Sequence, residues 1–367
     1  MSKLTTALGF MSGTSLDGID VALLRTDGEE QVSHGPSATF PYRPDQQAVL
    51  HDALTEAKAL TSRDARPGIL AEAERALTEW HAEAVERFLE ANGLTPAEVD
   101  VIGFHGQTVI HRPERRLTVQ LGLGPTLARR TGIPVVYDMR AADVAAGGQG
   151  APLVPVYHRA LAASVGERPV AFVNIGGVAN MTWIGRDGEL VAFDTGPGNA
   201  LLNDWCERWT DVPYDVDGCL GARGNSNRNV IEQQLKNNFF ATAAPKSLDR
   251  NSFDVRFVDG LSPADGAATL TRFTAEAIAA GVRLVPEPPR LYIVCGGGRL
   301  NPTLMRDLRE CLQAPVIAAE ECAMNGDSME AEAWAYLAVR SLRGLPITFP
   351  GTTGVLMPLP GGVVARP

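Results

Sequence analysis

Two stretches of the chain repeat one design, and this repeat restricts the fold more than any other feature of the sequence. Residues 9–28 predict a strand, a loop of small and hydroxylated residues, and an alternating strand closed by a turn that ends in Asp-Gly. Residues 171–188 predict the same order, with Gly176 and Gly177 in the turn between the strands. Two α/β halves that each begin with a glycine-turned hairpin indicate a duplication. Because sequence identity between the halves is low, a chance resemblance of two hairpins is the alternative.

The loop of the first hairpin is a candidate site for a phosphate group. Gly13 and Gly18 carry no side chain and tolerate positive φ, so the N–H groups of the loop can approach an anion closely. Asp17 and Asp20 flank the loop as candidate carboxylates on the Mg²⁺ side. The arrangement differs from the P-loop, which lacks the second strand. A tight hairpin that uses glycine only for its geometry is an equally good interpretation.

The composition argues against several classes of protein. A chain of 367 residues is long enough for two domains, and 45% hydrophobic residues can form buried cores. The net charge of −10 argues against general binding of nucleic acid or anionic membranes. Five cysteines without a C-x-x-C pair disfavour disulfides and zinc, and no apolar run is long enough to span a membrane. We therefore expect a cytoplasmic protein without nucleic-acid or membrane partners.

Polar side chains follow two predicted strands of the first half. His105, Gln107 and Thr108 come directly after a predicted buried strand at 101–104, and ligands of open α/β sheets lie beyond the carboxyl ends of strands. A polar turn in which the histidine bonds the main chain is an equal alternative. Arg140 follows a later strand, where its fork of donors suits a sugar-acid carboxylate or a phosphate. A salt bridge to a neighbouring aspartate is the competing interpretation.

Asp194 is the candidate catalytic carboxylate of the second half. It leaves a predicted hydrophobic strand shortly before a helix that is expected to begin near Ala200. One interpretation is a turn or N-cap aspartate, which is common. The other is a base or metal ligand, since an unperturbed aspartate with a pKa near ~3.9 is ionised at neutral pH and can accept a proton.

Two further places are typical of ligand sites. A predicted strand at 291–295 runs into Gly296, Gly297 and Gly298, and a capped helix follows, which suits contact with a nucleotide. Glu330 directly precedes a helix predicted over residues 331–342. It could complete a capping box with Asp327 or point into a cleft.

Taken together, the pattern resembles the α/β fold of the actin, hexokinase and Hsp70 superfamily, in which two ribonuclease H-like lobes each hold a mixed sheet flanked by helices. Six blocks then resemble, in order, the signatures of the anhydro-N-acetylmuramic acid kinase family. They are MSGTSLDGID, FHGQT, DVAAGGQGAPLVP, NIGGVANMTWI, FDTGPGN and FPGTTGV. We expect the lobes to span residues 1–142 and 143–367, and the last segment could pack back on the first lobe.

The resemblance implies an activity and a set of roles. The family converts 1,6-anhydro-N-acetylmuramic acid, ATP and water into N-acetylmuramic acid 6-phosphate and ADP, with Mg²⁺ as the expected metal. Asp194 would be the catalytic base, with Glu330 as an assistant near the attacking water. The expected sugar contacts are His105, Gln107, Thr108 and Arg140. The expected nucleotide contacts are Gly13, Thr14, Ser15, Leu16, Asp17, Gly18, Ile19, Asp20, Gly176, Gly177, Gly296, Gly297 and Gly298, with Asp17 also a metal ligand.

Three alternatives and one departure stay open at the level of sequence. A levoglucosan-type kinase would share nearly every block, a plain sugar kinase would accept N-acetylmuramic acid itself, and an actin-like filament protein would bind ATP without acting on a sugar. The family often has more basic residues where this chain has Met139, Ala141 and Ala142. This leaves open how many cations meet the lactyl carboxylate. A homodimer is also open.

Overall fold

The computed structural model describes residues 3–13 and 16–367, which form two compact units. The first unit comprises Met1–Ser164 and Ser328–Pro367, and the second comprises Val165–Asp327. The boundary expected at residue 142 therefore falls inside the first unit, and the segment that follows residue 327 belongs to the first unit.

Both units are built from strands and helices. The strands are β1 (Thr5–Ser12), β2 (Gly18–Thr26), β3 (Val32–Pro41), β4 (Val101–Arg112), β5 (Leu117–Leu121), β6 (Val135–Tyr137), β7 (Val170–Ile175), β8 (Val178–Ile184), β9 (Leu190–Pro197), β10 (Leu291–Cys295), β11 (Val316–Ala318) and β12 (Val363–Ala365). The α-helices are α1 (Pro44–Ala57), α2 (Leu70–Ala91), α3 (Gly124–Thr131), α4 (Ala141–Ala145), α5 (Pro155–Ala162), α6 (Ala200–Trp209), α7 (Arg228–Gln234), α8 (Asn238–Ala241), α9 (Pro263–Gly281), α10 (Pro302–Cys311), α11 (Met329–Leu342) and α12 (Pro350–Thr353).

The two sheets share one topology. The first has the order β12-β6-β4-β1-β2-β3, with β5 paired to β4, and the second has the order β11-β10-β7-β8-β9. In each, three antiparallel strands form a meander whose first strand is parallel to the next strand of the sheet. The parallel part then continues from β4 to β6 and from β10 to β11. Both units therefore repeat the hairpin-based pattern that the sequence predicts, and the predicted α/β class of two mixed sheets with flanking helices is confirmed.

The first sheet is packed between helices that the hydrophobic pattern specifies. Leu77 and Phe88 of α2 belong to the same buried cluster as Phe10 of β1, as expected for an amphipathic helix whose apolar residues recur every three or four positions. On β1 and β4, Gly9 and Gly103 allow α11 to lie against the strand backbone. A Cβ at either glycine would overlap a main-chain oxygen of α11. The helix that begins after residue 328 is therefore seated directly on the centre of the first sheet.

Two local predictions differ from the structure. The strand predicted at 101–104 continues to Arg112, because its second half pairs with β5 after an irregularity in its register with β1. Asp327 does not cap α11: Ser328 occupies the N-cap position, and Asp327 pairs instead with Arg299 at 2.8 Å. Among the described residues, no helix is long and apolar enough to cross a membrane.

Candidate active site

The loop between β1 and β2 has a fixed base. Two of its predicted phosphate ligands, Thr14 and Ser15, lie outside the described residues. The Gly13 carbonyl accepts the Leu16 N–H at 3.3 Å. A Cβ at Gly18 would overlap a main-chain oxygen of β3, so glycine is required there by strand packing.

The remaining residues of this loop differ in what they can offer a ligand. Leu16 and Ile19 are buried in the hydrophobic core of the first unit, so only their main chain could reach a nucleotide. Asp20 lies within β2, where its carboxylate accepts the Thr39 hydroxyl at 2.6 Å. Asp17 is exposed, which suits a carboxylate that meets a hydrated cation.

Gln107 is fully buried, and its side chain forms hydrogen bonds with residues at the end of β1. Its side-chain oxygen accepts the Ser12 hydroxyl at 2.7 Å, and its amide donates to the Gly13 carbonyl at 3.2 Å. Because Ser12 uses its proton in this bond, it accepts the Tyr42 hydroxyl, 2.7 Å away. Both polar atoms of Gln107 are thus engaged with the base of the predicted phosphate loop.

His105 and Arg140 form a direct contact in the first unit. The histidine Nδ1 lies 3.2 Å from the Ser12 carbonyl, which can only accept, so this nitrogen carries the proton. Nε2 is then the acceptor for the Arg140 guanidinium at 3.2 Å. Burial, and secondly the charge of Arg140, lower the pKa of His105 well below its usual value. The histidine is therefore neutral and orients the arginine.

The Arg140 guanidinium retains capacity for an anion. A second donor bonds the Gly150 carbonyl at 2.8 Å, and the buried Nε has no hydrogen-bond partner among the described residues. The salt bridge considered from the sequence is not formed with the neighbouring aspartates. Asp138 pairs with Arg63, and Asp143 accepts the Gly150 N–H at 2.6 Å. Burial lowers the pKa of Arg140 to about 10, which leaves it charged at neutral pH.

Thr108 borders the same region at half-buried depth. Its hydroxyl accepts the Gln120 amide at 3.2 Å and lies 3.5 Å from Nε2 of His105. A cavity of about 80 Å³ opens beside His105 and Gln120, at the middle of β4 and the end of β6. It is lined by Arg63, Arg66, Phe104, His105, Gly106, Gln120, Leu121, Gly122, Tyr137 and Asp138.

Glu330 lies on the same side of the first unit. It is half-buried in the first turn of α11, and its negative charge acts on Arg140, where it raises the arginine pKa against the effect of burial. Four residues later, Trp334 has its ring centroid 4.6 Å from that of His105 and 5.2 Å from the Arg140 guanidinium carbon. Residues four apart share one face of a helix. One face of α11 thus carries both a carboxylate and an aromatic ring towards the arginine.

Asp194 of the second unit has an environment suited to a base. It lies on β9, and its carboxylate accepts the Leu248 N–H at 2.7 Å, while its own N–H donates to the Lys246 carbonyl at 3.0 Å. Burial raises the pKa of Asp194 to about 6, an effect that the Leu248 N–H and the charge of Lys246 only partly offset. A base with a pKa near the working pH combines a high ionised fraction with a strong tendency to take a proton.

The glycines of the second unit meet where β7 and β10 end. Asn199, which caps α6, donates its N–H to the Gly176 carbonyl at 2.7 Å and its side-chain amide to the Ile175 carbonyl at 3.1 Å. A Cβ at Gly177 or Gly297 would meet no atom closer than 3.7 Å. Packing therefore does not explain glycine at these positions, and the space above them is free for a ligand.

At Gly296, by contrast, backbone conformation and packing explain why the residue is glycine. Gly296 has φ +73, and a Cβ there would overlap the side chain of Asn174. Gly298 is similarly enclosed by the Ile175 side chain. The triple glycine thus combines two positions required by the fold with one, Gly297, that is open.

The sequence predicts Asp17 as the protein ligand of a metal ion. Within residues 3–13 and 16–367, no group of three His, Cys, Asp or Glu side chains could hold a metal ion. This agrees with the chemistry of Mg²⁺, which in phosphoryl-transfer sites is bound by one or two carboxylates together with substrate phosphates. A single exposed carboxylate beside the loop therefore fits such an ion.

The structure joins some of the predicted residues and adds others. In the first unit it brings together His105, Arg140 and Glu330, and it adds Trp334, which its spacing of four from Glu330 on a strong helix could have indicated. In the second unit it adds the Leu248 N–H to Asp194. That contact spans 54 residues of chain and has no local sequence signal.

Two mixed sheets of one topology with polar and glycine-rich strand ends fit the class of two-unit α/β proteins that bind a phosphate-bearing ligand. The sequence model of one protein family, anhydro-N-acetylmuramic acid kinase, matches residues 5–365 of the chain. The anhydro-N-acetylmuramic acid kinase of Bradyrhizobium diazoefficiens is 56% identical over 364 residues and covers 99% of both chains. That of Agrobacterium fabrum is 52% identical over 372 residues and covers 100% of both. The chain belongs to the anhydro-N-acetylmuramic acid kinase family, and it is a kinase that uses ATP.

Similarity to solved structures is more distant. The activator of the 2-hydroxyisocaproyl-CoA dehydratase from Clostridium difficile with bound ADPNP has a TM-score of 0.49 and 10% identity, and the match covers 92% of this chain and 96% of that one.

Proposed function

We propose that the chain hydrolyses the 1,6-anhydro bridge of 1,6-anhydro-N-acetylmuramic acid and phosphorylates O6, releasing N-acetylmuramic acid 6-phosphate and ADP. Membership of the family supports the reaction. The observation that carries the chemistry is Asp194, a carboxylate whose pKa of about 6 and single N–H donor suit a general base. At pH 7 such a group is about nine-tenths ionised.

The proposed reaction balances in two linked steps. Asp194 accepts a proton from water while the water oxygen bonds to C1 and the C1–O6 bond breaks, as the base acts in inverting glycosidases. The electron pair released on O6 forms the new bond to the γ-phosphorus of ATP, and the bond to the bridging oxygen breaks to give ADP. O6 therefore needs no separate acid. Glu330 is proposed as an assistant that orients the water.

Recognition of the sugar is assigned to the first unit. Arg140 offers a desolvated cation with an unused donor, and neutral His105 holds its orientation, which suits the lactyl carboxylate of the muramic acid. Thr108 offers a hydroxyl at the same place. Gln107 is proposed to act mainly by holding Ser12 and Gly13.

Nucleotide contacts are proposed for both glycine-rich regions. In the first unit they involve the loop from Gly13 to Asp20, and in the second the open positions Gly176, Gly177 and Gly297 beside the start of α6. Asp17 is proposed as the protein ligand of Mg²⁺. The ion would neutralise charge on the phosphates during transfer.

A coupled ADP-release assay tests the proposal with three sugars. We expect rapid ADP release with 1,6-anhydro-N-acetylmuramic acid, and at most slow release with levoglucosan or N-acetylmuramic acid. Levoglucosan lacks the lactyl carboxylate, so equal rates with both anhydro sugars would reject the role of Arg140. A faster rate with N-acetylmuramic acid would reject the hydrolytic step, and no sugar-dependent release would reject the function.

Two further expectations concern the protein as a whole. A cytoplasmic location is supported by the five cysteines, none of which forms a disulfide in the part of the chain that the structure describes. Fractionation of the source cells would test it. Association into a homodimer stays a prediction, and light scattering on the purified protein measures it directly.

A further inference from the structure

A buried carboxylate in α11 has no role in the proposed reaction. Glu332 is only 1% exposed. Its two oxygens accept hydrogen bonds from three side chains: His34 of β3 at 3.1 Å, Tyr157 of α5 at 2.6 Å, and Ser328, which precedes α11, at 3.1 Å. One carboxylate thereby joins a strand, a helix and the first turn of a second helix.

The donors are suited to hold this charge. A buried carboxylate is costly unless it is hydrogen-bonded or paired. Burial and the negative charge of Glu332 raise the pKa of Tyr157 well above its usual value, so the hydroxyl keeps its proton and donates. The hydrogen bond that His34 donates to Glu332 raises the pKa of His34 against the effect of burial, which favours the charged imidazolium. The cluster is therefore a satisfied polar network.

The geometry of the helix relates this cluster to the candidate site. An α-helix turns by about 100° per residue, so residues 330 and 332 point in nearly opposite directions. Glu330 and Trp334 share the face directed to Arg140 and His105. Glu332 and Tyr336 share the other face, where the Tyr336 ring lies 5.3 Å from that of Tyr157.

We propose that Glu332 is a positioning residue for catalysis, which fixes the rotation of the first turn of α11 and thereby orients Glu330. This inference rests on the proposed role of Glu330 in orienting the attacking water. The helix is seated on Gly9 and Gly103, which set its distance from the sheet. Those contacts involve main chain and do not by themselves fix how the first turn is rotated. The bonds to Glu332 supply that constraint from three directions.

Steady-state kinetics of the Glu332→Gln variant test the inference. Glutamine keeps the shape of the side chain but replaces one acceptor oxygen by a donor, which opposes the Tyr157 or His34 proton. We expect kcat to fall by about tenfold, because small misplacements of a catalytic group are costly, while KM for ATP changes by less than about twofold. Glu90→Gln, at an exposed position of α2, is the matched control and should behave as the wild type.

A double-mutant cycle separates positioning from general damage. If Glu332 acts through Glu330, its substitution should reduce kcat by less than about twofold in a Glu330→Gln background. The inference would be overturned if the two substitutions reduced kcat by independent factors that multiply in the double variant. It would also be overturned if Glu332→Gln had the kcat of the wild type. If Glu332→Gln does not fold, Tyr157→Phe removes one hydrogen bond from the carboxylate and keeps the ring, and the same two criteria apply. Failure of the proposed function is distinct, since the wild type would then release no ADP with the anhydro sugar.

Discussion

The substitution Asp194→Asn should abolish turnover and at the same time stabilise the protein near neutral pH. In the folded protein the pKa of this carboxyl is raised from 3.8 to about 6. A raised pKa means that the folded state binds the proton more tightly than the unfolded state does. The wild type therefore loses stability as the pH rises from about 4 to about 6, and the loss is complete above that range.

The magnitude follows from the size of the shift. One pKa unit corresponds to 1.36 kcal/mol, so a shift of about two units costs the wild type about 2–3 kcal/mol at pH 8. Asparagine carries no charge and can still accept the Leu248 N–H through its side-chain oxygen. The variant should consequently gain up to that free energy of unfolding at pH 8 and show no gain at pH 4. For a unit of this size, the melting temperature changes by about 2–4 °C per kcal/mol.

Thermal melts of the wild type and the variant at pH 4, 6 and 8 measure the difference. ADP release with the anhydro sugar is measured on the same preparations, and nucleotide binding serves as the control for an intact fold. The buried-carboxylate reasoning would be refuted if the gain in stability of the variant over the wild type were no larger at pH 8 than at pH 4. Normal turnover by the variant would refute the role as base.

Four other substitutions test separate parts of the structure. Gly177→Ala should raise KM for ATP without changing the melting temperature. Gly296→Ala should lower the melting temperature because residue 296 has a positive φ. Equal melting temperatures for the two variants would contradict the difference between an open and a fold-required glycine. Arg140→Met should raise KM for the muramic acid substrate by about 10- to 100-fold, because the loss of one hydrogen bond to a charged group has about this effect. Any activity with levoglucosan should stay unchanged, and ADP release measures both. Gly9→Ala should destabilise the protein by more than about 3 kcal/mol in chemical denaturation, because the new methyl group meets the Ala331 carbonyl; a loss below about 1 kcal/mol would show that α11 can shift.

The sequence was informative where structure depends on local pattern. The paired hairpins, the long amphipathic helices and the glycine corner after residue 295 all rest on spacing and residue type, and each is present in the structure. The end of the strand at residue 104 was predicted wrongly, because the strand continues by pairing with β5. That pairing depends on a hairpin whose register the local sequence does not determine.

The candidate site was less accessible to the same reasoning. The ordinary pKa assumed for Asp194 differs from the structure, since burial and the Leu248 N–H come from parts of the chain that are remote in sequence. The sequence predicts Gln107 as a ligand contact, and in the structure its side-chain amide forms hydrogen bonds with Ser12 and Gly13. The Glu332 cluster collects side chains from residues 34, 157 and 328, so no motif could reveal it.

The seating of α11 on Gly9 and Gly103 has a consequence for biosynthesis. The second unit is continuous in sequence, so a ribosome can deliver all of it before α11 of the first unit is complete. Until residue 342 emerges, the bare glycine backbone at the centre of the first sheet has no cover on that side. We expect the nascent first unit to depend on chaperones or on rapid completion of the chain, since exposed sheet surface of this kind promotes aggregation.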